Sequence, residues 1–195
     1  MLTTPESIRT LQRKLYRKAK QDPPCRFHAL YDKVYRADIL SHAYDLVRSN
    51  KGSAGIDGVT FKSIEENEGV AAFIAELEEA LRSKTYQPGP VKRVMIPKSD
   101  GNQRPLGIPT IRDRVAQMAV KLVIEPIFEA DFCESSYGFR PKKSAHDAVD
   151  DVAFSLHTGY TEIIDADISK SSTPFHTPIS WRWSPNASVT ERYCT

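Results

Sequence analysis

Two carboxylates, Asp165 and Asp167, stand in the run Ile-Ile-Asp-Ala-Asp-Ile at 163–168, and in an extended chain that spacing turns both to the same side. Mg2+ takes oxygen ligands, commonly one or two carboxylates together with substrate phosphates. Phosphoryl transfer through two metals needs the ions about 3.5–4 Å apart, one at the attacking hydroxyl and one at the leaving oxygen. Asp167 suits one ligand of such a pair, which needs further carboxylates from elsewhere. The same Asp-Ala-Asp would also serve to cap a strand or accept helix N–H groups, so alone it leaves both readings open.

Upstream, Lys98 and Arg104 flank the turn Ser99-Asp100-Gly101-Asn102. Long cationic side chains at a ribbon tip can fold over a triphosphate, arginine as a bidentate fork and lysine as a point charge. An exposed hairpin also carries charges simply to stay soluble. Between these groups lies Ser135-Ser136-Tyr137-Gly138-Phe139-Arg140-Pro141. Tyr137 and Phe139 offer faces on which bases or sugars stack, and Arg140 can hold a phosphate. The alternative for Phe139 is a plug in a core beneath the loop.

Elements must hold these groups. Residues 7–20 put Ile8, Leu11 and Leu15 at helical spacing under a cationic face of Arg9, Arg13, Lys14, Arg17, Lys18 and Lys20, until Asp22-Pro23-Pro24 breaks the helix. Leu40, Ala43, Tyr44 and Val47 predict a second helix ending at Asn50-Lys51-Gly52. Residues 52–58 form a glycine-shaped loop that lacks the Gly-Lys-Ser/Thr ending of a phosphate loop. A third helix, 70–82, buries Val70, Phe73, Ile74, Leu77 and Leu81. After Pro88-Gly89-Pro90, residues 91–97 and 103–109 read as two strands of a hairpin. Residues 110–124 return to helical spacing, with Val115, Met118, Ala119, Leu122 and Val123 inward, until Pro126 interrupts. Ser144, with Asp147 three residues on, opens a helix to about residue 156. The run 160–168 predicts a strand with Ile164, Ala166 and Ile168 on one face and Ile163, Asp165 and Asp167 on the other.

The 195 residues suit one domain with an appended arm, and the net charge of +2 is too small to imply a nucleic-acid partner. Its distribution says more: eight bases face two acids from 82 to 114, whereas 145–167 holds six acids and no Lys or Arg. A basic surface beside an acidic pocket suits a polyphosphate or nucleic acid brought to metal-binding carboxylates. No apolar run is long enough to span a bilayer, and the basic N-terminus lacks the apolar core of a secretory signal, which predicts a cytoplasmic protein. Cys25, Cys133 and Cys194 make neither a disulfide framework nor a zinc signature.

In order along the chain come Gly-Ile-Asp-Gly (55–58), Ile-Pro-Lys-Ser-Asp-Gly-Asn-Gln-Arg-Pro-Leu-Gly-Ile-Pro (96–109), Glu-Pro-Ile-Phe-Glu (125–129), Ser-Tyr-Gly-Phe-Arg-Pro (136–141), Ser-Ala-His-Asp-Ala (144–148) and Asp-Ala-Asp-Ile-Ser-Lys (165–170). This series closely resembles the group II intron reverse transcriptases, the maturase-type proteins of bacterial retroelements, over residues 36–170. The resemblance implies an α+β fold, the fingers and first part of the palm of a right-hand polymerase. It implies RNA-directed DNA synthesis with Mg2+ on an RNA template and DNA primer from dNTPs, and binding of the host group II intron RNA. By position, Lys98 and Arg104 would contact the incoming nucleotide; Tyr137, Phe139 and Arg140 would lie near template or substrate; Asp167 would be the first catalytic, metal-binding aspartate. Asp165 does not carry over as a ligand.

The pattern breaks after Lys170. The family continues into Phe-Phe-Asp or Tyr-Phe-Asp and later a Tyr-Ala-Asp-Asp turn, but here Ser171-Ser172-Thr173-Pro174-Phe175-His176 comes next. Codons for Lys-Phe-Phe-Asp-Thr-Ile-Pro-His that lose a single T read Lys-Ser-Ser-Thr-Pro-Phe-His. The expected organisation is therefore a basic helical extension at 1–35, reverse transcriptase fingers and the start of the palm at 36–170, and a frameshifted, poorly ordered tail at 171–195. Such a truncated chain is expected to be inactive in DNA synthesis. The rivals are a non-catalytic RNA-binding module, a non-functional remnant and a retron-type polymerase.

Overall fold

The computed structural model describes residues 2–97 and 101–164. The chain divides into two compact units, Met1–Ala130 and Asp131–Thr195. Lys98, Asp165, Asp167 and all of 171–195 lie outside the described residues.

In the first unit, helix α1 (Glu6–Gln21) buries Ile8, Leu15 and Ala19 and turns its cations outward. A short α2 (Tyr31–Val34) leads to α3 (Ala37–Ser49), whose Leu40, Ala43, Tyr44 and Val47 form a single apolar stripe. The one-turn α4 (Phe61–Ser63), capped by Thr60, runs into a π turn at Ile64–Glu68, where Gly69 N–H reaches back to Ile64 O at 2.8 Å. Gly69 takes φ +76°, a left-handed conformation that glycine adopts without a Cβ penalty, and α5 (Val70–Arg82) starts there. The core joins α1, α3, α5 and a long helix α6 (Ile111–Asp131), with Ile8, Ile39, Leu40, Leu77, Val115 and Val123 essentially sealed from solvent. The basic extension at 1–35 therefore belongs to the same compact unit as α3, α5 and α6.

Pro126 lies inside α6 and does not interrupt it, contrary to expectation. Proline has no N–H, so the carbonyl of Leu122, four residues earlier, loses its helical donor. Gln12 Nε2 takes that place, donating to Leu122 O at 3.0 Å. Lys20 Nζ donates to Ala130 O at 3.1 Å, at a helix end where carbonyls lack partners in the ladder. The interval from Gln12 to Lys20 equals that from Leu122 to Ala130, so α1 and α6 run side by side in the same direction. At the other end of α1, Ser7 Oγ donates to Asp38 in the first turn of α3 at 2.8 Å.

Strands β1 (Lys92–Pro97) and β2 (Gln103–Ile108) pair antiparallel, with Ile96 opposite Arg104 and Lys92 opposite Ile108. This is the hairpin that the sequence predicts, and with the helices it makes a mixed α+β architecture. Both of its faces are largely open, Met95 and Leu106 being 48% and 42% exposed.

In the second unit, α7 (Ala145–His157) opens with a reciprocal capping box: Ser144 Oγ accepts from Asp147 N–H at 3.2 Å, and Asp147 accepts from Ser144 N–H at 2.7 Å. Those bonds with Ser144 hold the Asp147 carboxyl below its ordinary range. The start of the expected strand 160–168 is corrected here: residues 160–164 adopt no strand. A strand needs a neighbour for its backbone groups. Among the described residues the two strands pair only with each other, and Ile163 and Ile164 stand 71% and 93% exposed.

Candidate functional site

The hairpin leaves the helical unit between Pro88-Gly89-Pro90 and Pro109-Thr110, and both sides of this root are tied to Asp113, which is only 4% exposed. Asp113 Oδ1 accepts from the Tyr86 hydroxyl at 2.5 Å. Its Oδ2 accepts from Gly89 N–H at 3.1 Å and from Thr110 Oγ1 at 2.8 Å. Asp113 N–H donates in return to Thr110 Oγ1 at 3.1 Å, so Thr110 also caps α6. Burial first, and then the bond to Asp113, push the Tyr86 phenol far above its ordinary pKa, so this hydroxyl keeps its proton.

The Gly-Ile-Asp-Gly loop packs on the same root. A Cβ at Gly55 would lie 2.7 Å from Thr110 Cα and 3.1 Å from Pro109 O, both backbone atoms, so only glycine fits. Arg114 Nη2 donates to Ser53 O at 2.7 Å, and its guanidinium lies 5.9 Å from the centre of the Phe61 ring. Two motifs far apart in sequence thus meet at one junction.

The basic run of 82–114 divides accordingly. Arg82 pairs with Glu78, Arg112 with Glu76 and Arg114 with the Ser53 carbonyl. Lys92, Arg93 and Arg104 are exposed on the ribbon and make no ion pair among the described residues. Residues directly opposite share a face, and alternation then puts Lys92 and Arg104 together on one side and Arg93 on the other. Cations without internal partners remain available to phosphate.

The Ser-Tyr-Gly-Phe-Arg-Pro loop, in the second unit, is braced by two of its three candidate side chains. Arg140 Nη1 donates to the carbonyls of Cys133 and Ser136, each at 2.7 Å, and its guanidinium lies 5.1 Å from the Phe132 ring centre. Tyr137 donates to Asp151 Oδ2 at 2.9 Å, a bond that raises the phenol pKa, and Lys143 Nζ sits 4.8 Å over its ring. Phe139 is fully exposed at φ +57°, so it does not plug a core. Arg104 belongs to the first unit, and Tyr137, Phe139 and Arg140 to the second.

Tyr86, Thr110 and Asp113 escape a reading of the sequence alone, in which Asp113 counts only as a charge. A signal is present: Thr110-x-x-Asp113 after a proline is a helix-start pattern that places a carboxylate at the third helical position. Among the described residues no group of three or more His, Cys, Asp or Glu is placed to hold a metal ion. No helix among them is long and apolar enough to cross a membrane.

A basic ribbon on a braced root, followed by a braced aromatic loop, suits a protein that handles nucleic acid. Residues 96–177 match the family described as reverse transcriptase (RNA-dependent DNA polymerase). The chain is 39% identical to Protein YkfC of Escherichia coli strain K12 over 175 residues, 87% of this chain and 45% of that protein. It is 39% identical to the group II intron-encoded protein LtrA of Lactococcus lactis subsp. cremoris over 126 residues, 63% of this chain and 20% of that protein. It is 34% identical to nuclear intron maturase 1, mitochondrial, of Arabidopsis thaliana over 62 residues, 32% of this chain and 9% of that protein. The chain is thus similar to a group II intron-encoded protein and to an intron maturase within a reverse transcriptase family match, and it spans less than half the length of these relatives.

Proposed function

We propose that this chain is the nucleic-acid-gripping portion of a group II intron reverse transcriptase/maturase, comprising the fingers and the first segment of the palm. The observation that carries this reading is the two-stranded ribbon whose second strand lies inside the matched segment, with Lys92, Arg93 and Arg104 lacking ion-pair partners among the described residues, on a root fixed by hydrogen bonds to the buried Asp113. Lys98 and Arg104 take the phosphates of the incoming nucleotide, and the loop bearing Tyr137, Phe139 and Arg140 lies along the template. Asp167 is the first aspartate of a two-Mg2+ centre. When bound, Mg2+ would lower the pKa of the attacking hydroxyl and stabilise the leaving oxygen.

The 195 residues include Asp167 but no Tyr-Ala-Asp-Asp turn, so on this reading the chain alone does not synthesise DNA. A primer-extension assay with Mg2+, dNTPs and a primed RNA template should give no product, and extension by the purified chain would overturn that part. Residues 171–176 fit a displaced reading of Lys-Phe-Phe-Asp-Thr-Ile-Pro-His, and the family match itself runs on to residue 177. Resequencing the gene across the Lys170 codon tests this: a single restored base should open a frame into Phe-Phe-Asp.

A second reading, a module that binds intron RNA without catalysis, is favoured by α1. Lys14 and Arg17 stand exposed there with no partner among the described residues, on a helix locked to the core through Gln12 and Lys20. Binding to structured RNA should fall steeply with salt as counterions are released. Absent or salt-insensitive binding would leave a non-functional remnant.

A further inference from the structure

We infer that Asp113 is a positioning residue for the basic ribbon, setting the angle at which β1 and β2 leave the helices and hence where Arg104 stands. The inference rests on the reading that Arg104 contacts phosphate. A buried carboxylate normally has a cationic partner; Asp113 has instead three neutral donors, and each comes from a different part of the root. Tyr86 follows α5, Gly89 lies in the segment leading into β1, and Thr110 joins β2 to α6. Asp113 itself is in the first turn of α6, where the partial positive charge of the helix start favours a carboxylate. One side chain on the longest helix thus holds both legs of the hairpin, and Gly55 presses on the same junction from the other motif.

The leverage is large. A strand rises about 3.4 Å per residue, which puts Arg104 roughly 20 Å beyond Thr110. A swing of about 5° at the root would carry the guanidinium by about 2 Å, more than a bidentate phosphate contact tolerates. Among the described residues neither strand of the hairpin carries a buried side chain, Val94, Ile96 and Ile108 being half-buried and the rest exposed.

The experiment is a double-mutant cycle in the full 195-residue chain, read as anisotropy of a fluorescein-labelled single-stranded RNA. Residues this far apart ordinarily act independently. Arg104→Ala in the native background should weaken binding about tenfold, the loss expected for one charged hydrogen bond. Asp113→Ala should weaken binding comparably, and adding Arg104→Ala to it should change binding less than twofold. Asp113→Asn should restore near-native binding, because the amide oxygen still accepts from Gly89 and Thr110 while its NH2 can donate to the Tyr86 oxygen. If Asp113→Ala unfolds the chain, Tyr86→Phe, which keeps the ring and deletes one bond, takes its place in the cycle. Fold-changes for Asp113 and Arg104 that multiply independently would overturn the positioning role and leave the phosphate contact standing. An Arg104→Ala chain that binds like the native one would overturn the phosphate contact, and the positioning role with it.

Discussion

Replacing Gln12 with methionine keeps the length and most of the volume of the side chain but removes the side-chain donor to the Leu122 carbonyl, which Pro126 deprives of its i+4 helical N–H. A part-buried acceptor stripped of its donor costs about 1–3 kcal/mol; because Gln12 is only half buried, the lower part of that range, about 1–2 kcal/mol, applies here. At about 2–4 °C per kcal/mol for a chain of this size, the midpoint should fall by a few degrees in a thermal melt followed by far-UV circular dichroism. The test of the cause is the same substitution in a Pro126→Ala background. There the restored N–H of residue 126 can reach Leu122 O along the helix, so Gln12→Met should cost less than about 0.5 kcal/mol, within the scatter of independent sites. An equal loss in both backgrounds would refute the idea that the Gln12 amide stands in for the missing helical donor.

Gly55→Ala should destabilise the first unit by about 1–3 kcal/mol in urea unfolding, because the new methyl meets the backbone of Thr110 and Pro109, which cannot move aside like a flexible side chain. Ser144→Ala should reduce the helicity of α7, which buries no residue of its own and depends on its cap. The same cap should respond to acid: Asp147 has a lowered folded pKa, so its contribution is complete above the ordinary carboxylate value of about 3.9 and is lost as pH falls through the lowered value. Far-UV dichroism on acidification reads this, and Ser144→Ala, which deletes the hydroxyl but keeps the backbone N–H that donates to Asp147, should diminish that part of the transition. Phe139→Ala should leave stability within about 0.5 kcal/mol of native, since the ring is fully exposed, whereas Arg140→Ala should expose residues 131–143 to limited proteolysis by releasing the Cys133 and Ser136 carbonyls.

Much of the helical architecture is legible because it rests on short-range periodicity. The expected helix at 70–82 coincides with Val70–Arg82, and Leu40, Ala43, Tyr44 and Val47 are all buried as their spacing requires. The hairpin is legible from its punctuation, and Ser144 with Asp147 forms a fuller capping box than expected. The features that escape depend on partners remote in sequence. Pro126 reads as a helix stop until a side chain from α1 supplies the missing donor. The π turn at Ile64–Glu68 has no periodic signature of its own. The alternation at 160–164 suits a strand, but pairing needs a neighbour that the described residues do not offer. Asp113 looks like one acid in a basic run because its meaning lies in three donors from other segments.

These contacts also sort the motifs by the duty each residue can carry. Within Gly-Ile-Asp-Gly, Gly55 is required by the backbone opposite it; within Ser-Tyr-Gly-Phe-Arg-Pro, Arg140 and Tyr137 hold their own loop; in the segment after the hairpin, Thr110 and Asp113 fasten its root. Their loss would impair any activity by moving other groups. Arg104, Arg93, Lys92 and Phe139 have no such internal duty among the described residues, and each is exposed. An exposed side chain without a structural partner can be removed at little expense to the fold, so a defect on its removal reports contact with a ligand. Arg104→Ala is therefore the sharper probe of nucleic-acid contact: it should lower the slope of log affinity against log salt by about one, at unchanged thermal stability. Arg140→Ala, by contrast, should lower affinity only together with the order of its loop. A salt slope unaltered by Arg104→Ala would mean that the arginine at the ribbon tip meets no phosphate.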